Sequence, residues 1–224
     1  MDLAILSYFI ERLRRESIGD PVWISSKEVF EYSSQSVEVA AVLKLIRASH
    51  GIFAIDLLCR NGLFVDMGAT YRCVADCVYE VHFLLERYPE KSSNVQKFIE
   101  EFFSKTIDGH LTSDKEPVPA KKIHAAMVRS ITGKVQDEAI QKHLSNIYVA
   151  FSGYTHAGYA HIMHMFGGSP QSMGFNISGV NDQKQIDIQS QLVESAYISV
   201  LLAIAFTAQK LGLNELHREV LQRC

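Results

Sequence analysis

Apolar residues recur at helical spacing along most of the chain, and turn residues cut the pattern into about seven segments. Leu3, Leu6, Phe9, Ile10 and Leu13 form one stripe, with Glu11/Arg15 and Arg12/Glu16 set as helical charge pairs, and the pattern stops near Gly19 before Asp20-Pro21. Ser25 with Glu28 has the form of a capping box and predicts a second helix from about residue 26. Its apolar body, rich in Ala, Val, Leu and Ile over 36–59, runs to Asn61-Gly62, a helix stop. Residues 63–88 predict a third helix with Pro89 just beyond it, antiparallel to the second because the connection is short. Asn94 is placed to cap a fourth, striped with Val95, Phe98, Ile99, Phe102 and Phe103.

Residues 108–119, with two prolines, predict a flexible connection, and Pro119 suits the start of a shorter helix over 120–131. A long helix is expected from Asp137 to about Phe166, with Gly153, Ala157 and Gly158 allowing a close helix crossing. The stretch 167–181 is glycine- and serine-rich yet carries Met173, Phe175 and Ile177, the composition of an ordered binding loop. Asn181 or Asp182 then caps a last long helix, apolar nearly all round between Ala196 and Ala208 and so either central or at a subunit interface. The expectation is an all-α, single-domain bundle of residues 1–224 with long antiparallel helices.

Composition narrows the class. Forty-seven per cent hydrophobic against 21% charged residues is globular, and a formal charge of -3 supplies no overall basic field for nucleic acid or anionic lipid. Four cysteines without a CxxC pair read as reduced thiols, and the opening MDLAILSYFIERLRRES returns to charge too early for an export signal, so a cytoplasmic setting is expected. The apolar run 195–209 falls short of a membrane span, so no membrane partner is expected. No cofactor is expected either: Gly167-Gly168-Ser169-Pro170 lacks the ending of a phosphate loop, and Cys73 with Cys77 lacks further ligands for a cluster. The basic clusters Arg12/Arg14/Arg15 and Lys121/Lys122 read as solvated surface.

Two segments carry candidate chemistry. Arg72, Asp76 and Glu80 recur every four residues of the third helix, forming either a solvated charge face or a polar cluster between helices. Ser152–His164 (SGYTHAGYAHIMH) holds three of the nine histidines; His161 and His164 share a helix face as metal ligands do, but no HExxH or Glu-x-x-His accompanies them.

The segments DLLCRNGLFVDMGATYRCVADCVYEVHFLLERYPE (56–90) and NIYVAFSGYTHAG (146–158), a helix carrying Arg followed by an acid and a later helix carrying Ser-x-x-x-His, resemble HEPN-like helical bundles over about half the chain. That resemblance implies a helical fold and RNA as a partner, in a setting of bacterial defence or stress. The Arg-to-His spacing that the nuclease members use is absent here, so the activity implied is a variant ribonuclease or RNA binding alone. Its site would use Arg72 as anion clamp, Asp76 to orient His156, and His156 as general acid or base beside Tyr154 or Tyr159. It needs the two helices face to face; the alternative for the same residues is a buried network that fixes helix register. Two further readings stand beside it. One is a non-catalytic module that dimerises through the last helix and meets a partner with 167–181; the other is a metal or small-molecule bundle in which His156, His161 or His164 converges with Glu194.

Overall fold

A computed structural model describes residues 1–104, 117–133, 137–169 and 172–224. Among these the chain forms nine helices and two small hairpins, the all-α bundle expected. Helix α1 spans Leu3–Ser17, opened by the Asp2 carboxylate accepting from the Ala4 and Ile5 amides. Hairpin β1 (Val22–Ile24) and β2 (Val29–Glu31) follows, then α2 (Val37–Arg60), α3 (Phe64–Leu85), α4 (Ser93–Ser104) and α5 (Ala120–Thr132). Helix α6 (Glu138–Thr155), the one-turn α7 (Tyr159–Met163), hairpin β3–β4 (Phe166–Ser169, Ser172–Phe175), α8 (Gln183–Lys210) and α9 (Asn214–Leu221) complete it.

The core is a three-helix layer. α2 and α3 are antiparallel, with the Lys44 ammonium 2.6 Å from Glu80 at one level and Gly51 against Val74 at another. α8 lies across both, Cys59 of α2 near its start and Glu86 beyond α3 meeting Lys210 at its end. Leu45, Ile52, Ile55, Leu84, Leu201 and Ile204 are fully buried between them; each is worth about 1.5–3 kcal/mol relative to exposure. The turn between α2 and α3 docks on the segment before α8 at van der Waals closeness. Gly62 and Gly179 both have positive φ, and a Cβ on either would lie within 2.1 Å of backbone across the junction, where the Val180 amide donates to the Gly62 carbonyl. By length and hydropathy α8 also satisfies the criteria for a membrane span, but 56% of its apolar window is buried against the other helices. Its buried faces place it at the centre of the bundle, while Ile188, Ile198 and Leu202 remain exposed.

Several boundaries differ from the sequence pattern. Ser25 and Glu28 do not cap a helix at 26: Val22, Trp23 and Ile24 pair with Val29, Phe30 and Glu31 instead, and Trp23 meets Phe30 edge-on at 4.9 Å. β-Branched and aromatic residues behind Pro21 favour the pleated pairing over a helix, and α2 starts at Val37 under the Ser36 hydroxyl. The cap of α4 is Ser92, whose hydroxyl accepts from the Val95 amide, not Asn94. The long helix from Asp137 stops at Thr155 rather than Phe166, because Ala157 takes a positive φ of 50°. The stretch 167–181 is not a plain loop: strand β4 and most of β3 lie within it. The flexible connection placed at 108–119 falls outside the described residues except for 117–119. α9, which the sequence pattern left unassigned, seals α1 and α8 through buried Leu216 and Val220 and through Arg12, bonded to both Glu219 carboxylate oxygens at 2.7 Å.

His82 is a buried base within this core. Its ring stacks on Phe206 at 4.5 Å, and Nδ1 lies 2.8 Å from the Ser130 hydroxyl, which itself donates to the Met127 carbonyl and so accepts from the Nδ1–H tautomer. Burial pushes the imidazole down from 6.5 to about 4. The unfolded chain therefore binds a proton below about pH 6.5 that the native chain refuses until about pH 4, so this contribution is complete above the window and lost as pH falls through it. A shift of this size corresponds to a loss of up to about 3 kcal/mol. Urea unfolding at about pH 7 and about pH 5 should show His82→Gln losing distinctly less stability than wild type over the interval; equal losses would remove His82 as the cause.

Candidate functional site

Helix α3 meets α6 along an antiparallel seam. Arg72 faces Tyr148, Tyr71 stacks on Phe151 at 4.4 Å, and the Tyr154 ring lies directly on Gly68, where a Cβ would come within 2.5 Å of it. Arg72 is the polar centre. Its Nε donates to the Asp76 carboxylate at 2.8 Å, its Nη1 donates to the Tyr148 carbonyl at 2.9 Å, and its guanidinium lies 3.2 Å from the centre of the Tyr148 ring. Only 11% of the side chain is exposed. Of the two readings of the stripe, the polar cluster between helices is the one observed for Arg72 and Asp76, whereas Glu80 turns to Lys44 on α2.

His156 does not join them. It is the exposed C-cap of α6, its amide bonded to the Ser152 carbonyl. It lies past Tyr154, which packs on Gly68, and Gly68 is eight residues, about 12 Å of helix, before Asp76. The histidine beside the pair is His124 of α5, edge-on to both Tyr79 (5.4 Å) and Tyr148 (5.1 Å). Burial lowers its pKa, opposed by the Asp76 charge. Nothing in the sequence pattern of α5 marks His124, because its role depends on how that helix is rotated against α3. Tyr154 keeps its packing place, its phenol pushed up by burial, while Tyr159 stands 81% exposed on α7. His161 lies on Gly153, with Nε2 3.1 Å from the Ala150 carbonyl, and its ring centre is 6.2 Å from that of His164. Glu194 is exposed on α8, and among the described residues no three His, Cys, Asp or Glu side chains gather as metal ligands would.

A second polar feature lies beyond the C-terminal end of α3. Two adjoining cavities of about 310 and 460 Å³ share Glu86, Arg87 and Arg129 as walls. Lys122, exposed as its solvated-surface reading expects, borders the first, and Lys210 borders the second. Sequence spacing gave no sign of this, since the four cations come from three separate helical regions.

Comparison with family models, with curated proteins and with solved structures finds no match to this chain. The functional reading therefore rests on geometry. In the seam, Arg72 has spent its fork on Asp76 and on a backbone carbonyl and its face on a ring, an arrangement that fixes the register of α6 on α3. Arg72→Ala would leave the Asp76 carboxylate and the Tyr148 carbonyl short of a donor and should cost about 2–3 kcal/mol in urea unfolding. Arg72→Lys should recover less than half, because an ammonium cannot both stack and bridge. His156→Ala should stay within about 0.5 kcal/mol of wild type. An Arg72→Ala protein as stable as wild type would show that the seam is not locked this way.

Proposed function

We propose that this chain is a non-catalytic interaction protein whose working surface is the region from α6 to the start of α8, and that its partner there is a second copy of itself. One observation carries the reading: from His143 to Asn181, 39 residues, there is no Asp, Glu, Lys or Arg. A soluble surface is about a quarter to a third charged, and none of the described residues of this stretch is buried. Helix α6 contributes no buried residue, and Val149, Tyr159, Phe166, Met173, Phe175 and Ile177 are between 41% and 81% exposed. Phe166 and Phe175 are direct cross-strand partners, and Met173 lies on the same hairpin face.

The area and the charge argue for a copy of the same face. At roughly 150–200 Å² per large side chain, those six residues expose roughly 600–750 Å². A specific interface covers about 800 Å² per partner, and the largest apolar patch of a monomer about 300–600 Å². A face carrying charged side chains would strand them on the patch without partners, at several kcal/mol each. The patch set against itself strands none, which is the self-complementarity of a two-fold interface.

Light scattering and sedimentation of the purified chain should give twice the monomer mass. Met173→Lys, at an exposed position, should give a monomer of unchanged helicity, whereas Leu202→Lys on α8 should leave the dimer intact. A wild-type monomer at every concentration, loss of the dimer only in Leu202→Lys, or a monomer that floats with neutral vesicles would each overturn the reading.

The HEPN-like reading with RNA as substrate is the second one. What favours it is that the two segments carrying the resemblance, on α3 and α6, pack face to face at Tyr71–Phe151. Cleavage of total RNA that survives EDTA and disappears in His156→Ala would sustain it; cleavage equal in both proteins would remove it.

A further inference from the structure

We infer that the groove at the C-terminal ends of α3 and α8 is a binding site for a small organic phosphate. The observation is independent of the interaction face. Among the described residues Arg87, Lys122, Arg129 and Lys210 line the two joined cavities against the single carboxylate of Glu86, a local excess of three positive charges on a chain whose formal charge is -3.

Part of this charge is already engaged, and what is left defines the ligand. Arg129 spends Nε and Nη2 on Glu86, the latter at 2.9 Å, which leaves its Nη1 donors. Lys210 donates to the Glu86 carbonyl at 3.0 Å, as a cation near a helix C-terminus does, and has no carboxylate partner among the described residues. Among the described residues Lys122 meets only the Asn94 amide oxygen, at 3.1 Å. Arg87 is exposed and makes no side-chain bond among the described residues, and its guanidinium borders both cavities. The Ser92 hydroxyl accepts from the Val95 amide and keeps its own proton to donate. Forked guanidiniums with ammonium groups beside them match the several oxygens and the double charge of a phosphate better than a lone carboxylate.

The rest of the wall sets the second half of the ligand. Phe83, Val95 and Ala125 line the first cavity next to Arg87 and Lys122, so a charged head held by the cations places an apolar or aromatic group against them. The cavities, about 310 and 460 Å³, are in the range of small-molecule sites, which begins at about 300 Å³. A mononucleotide-sized ester fits this description; a long polyanion would need a cationic track continuing past the groove.

Isothermal titration of the full chain with phenyl phosphate and with inorganic phosphate tests the site. Phenyl phosphate should bind, and more tightly than inorganic phosphate because only it uses the apolar wall. Arg87→Glu combined with Lys122→Glu should weaken it at least tenfold. Arg87→Gln alone should weaken it by less, and circular dichroism should show both variants folded. No heat with phenyl phosphate at millimolar concentration, equal affinity in the charge-reversed variant, or binding of an RNA oligonucleotide that phenyl phosphate does not displace would overturn the proposal. Whether the wild-type chain is a dimer bears on none of these outcomes.

Discussion

The covering of α8 is the constraint on which the rest depends. Its middle carries Val200, Leu201, Ala203, Ile204, Ala205 and Ala208 on successive faces, all buried, and a helix apolar on so many sides must be enclosed from several directions. α2 and α3 supply two walls, and α1 with α9 supplies a third, pinned by Arg12 to Glu219 and by the Tyr197 hydroxyl donating to the Asp2 carbonyl. Small residues along α8 and at Gly51 let these axes approach, and the Gly62/Gly179 contact fixes where the helix begins. With three walls taken by the ends of the chain and by the α2–α3 pair, α5 and α6 pack on the outer side of α3 and on each other. That is why α6 buries nothing fully.

The long elements were legible because their signal is periodic and repeated. α1, α3 and α8 each carry many apolar positions that agree with one another, and a single odd residue does not change the sum. The errors fell where a local signature competed with a tertiary or local backbone demand. Ser25 and Glu28 have the side chains of a capping box, yet the residues on either side of them pair as strands. Ala157 sits in an otherwise helical pattern but adopts a positive φ, a choice that sequence spacing does not encode. α9 is short, with mainly Leu216 and Val220 directed inward, too few positions to define a period.

The site was legible in part, and the division is instructive. Arg72 and Asp76 are four apart on one helix, so their pairing follows from local geometry alone. Their third partner depends on which helix rolls against α3 and by how much; His156 and His124 are equally plausible by residue type, and only packing places His124 there. The absence of charge between His143 and Asn181 was fully present in the sequence. A run without charge means little until the segment is known to lie on the surface, and exposure is a tertiary fact.

The charged groove and the part of the uncharged face at His164, Met165 and Ile177 sit at opposite ends of one helix, and this separation has a physical consequence. Gly62 to Asp66, before and within the first turn of α3, form a wall with His164, Met165 and Ile177, whereas Glu86 and Arg87, just beyond its last turn, line the groove. The 22 residues between the ends span about 30 Å, about four screening lengths at physiological salt. Excess positive charge at one end would therefore exert little repulsion on a second copy that met the chain at the other, as the proposed association requires. A two-fold contact through the uncharged face also leaves both grooves outside the interface and open to solvent. Association and ligand binding can then occur on the same molecule without competing for surface, and any coupling between them must travel through α3. The rigid Arg72–Tyr148 lock lies midway along that helix, so it is the element through which one end could sense the other.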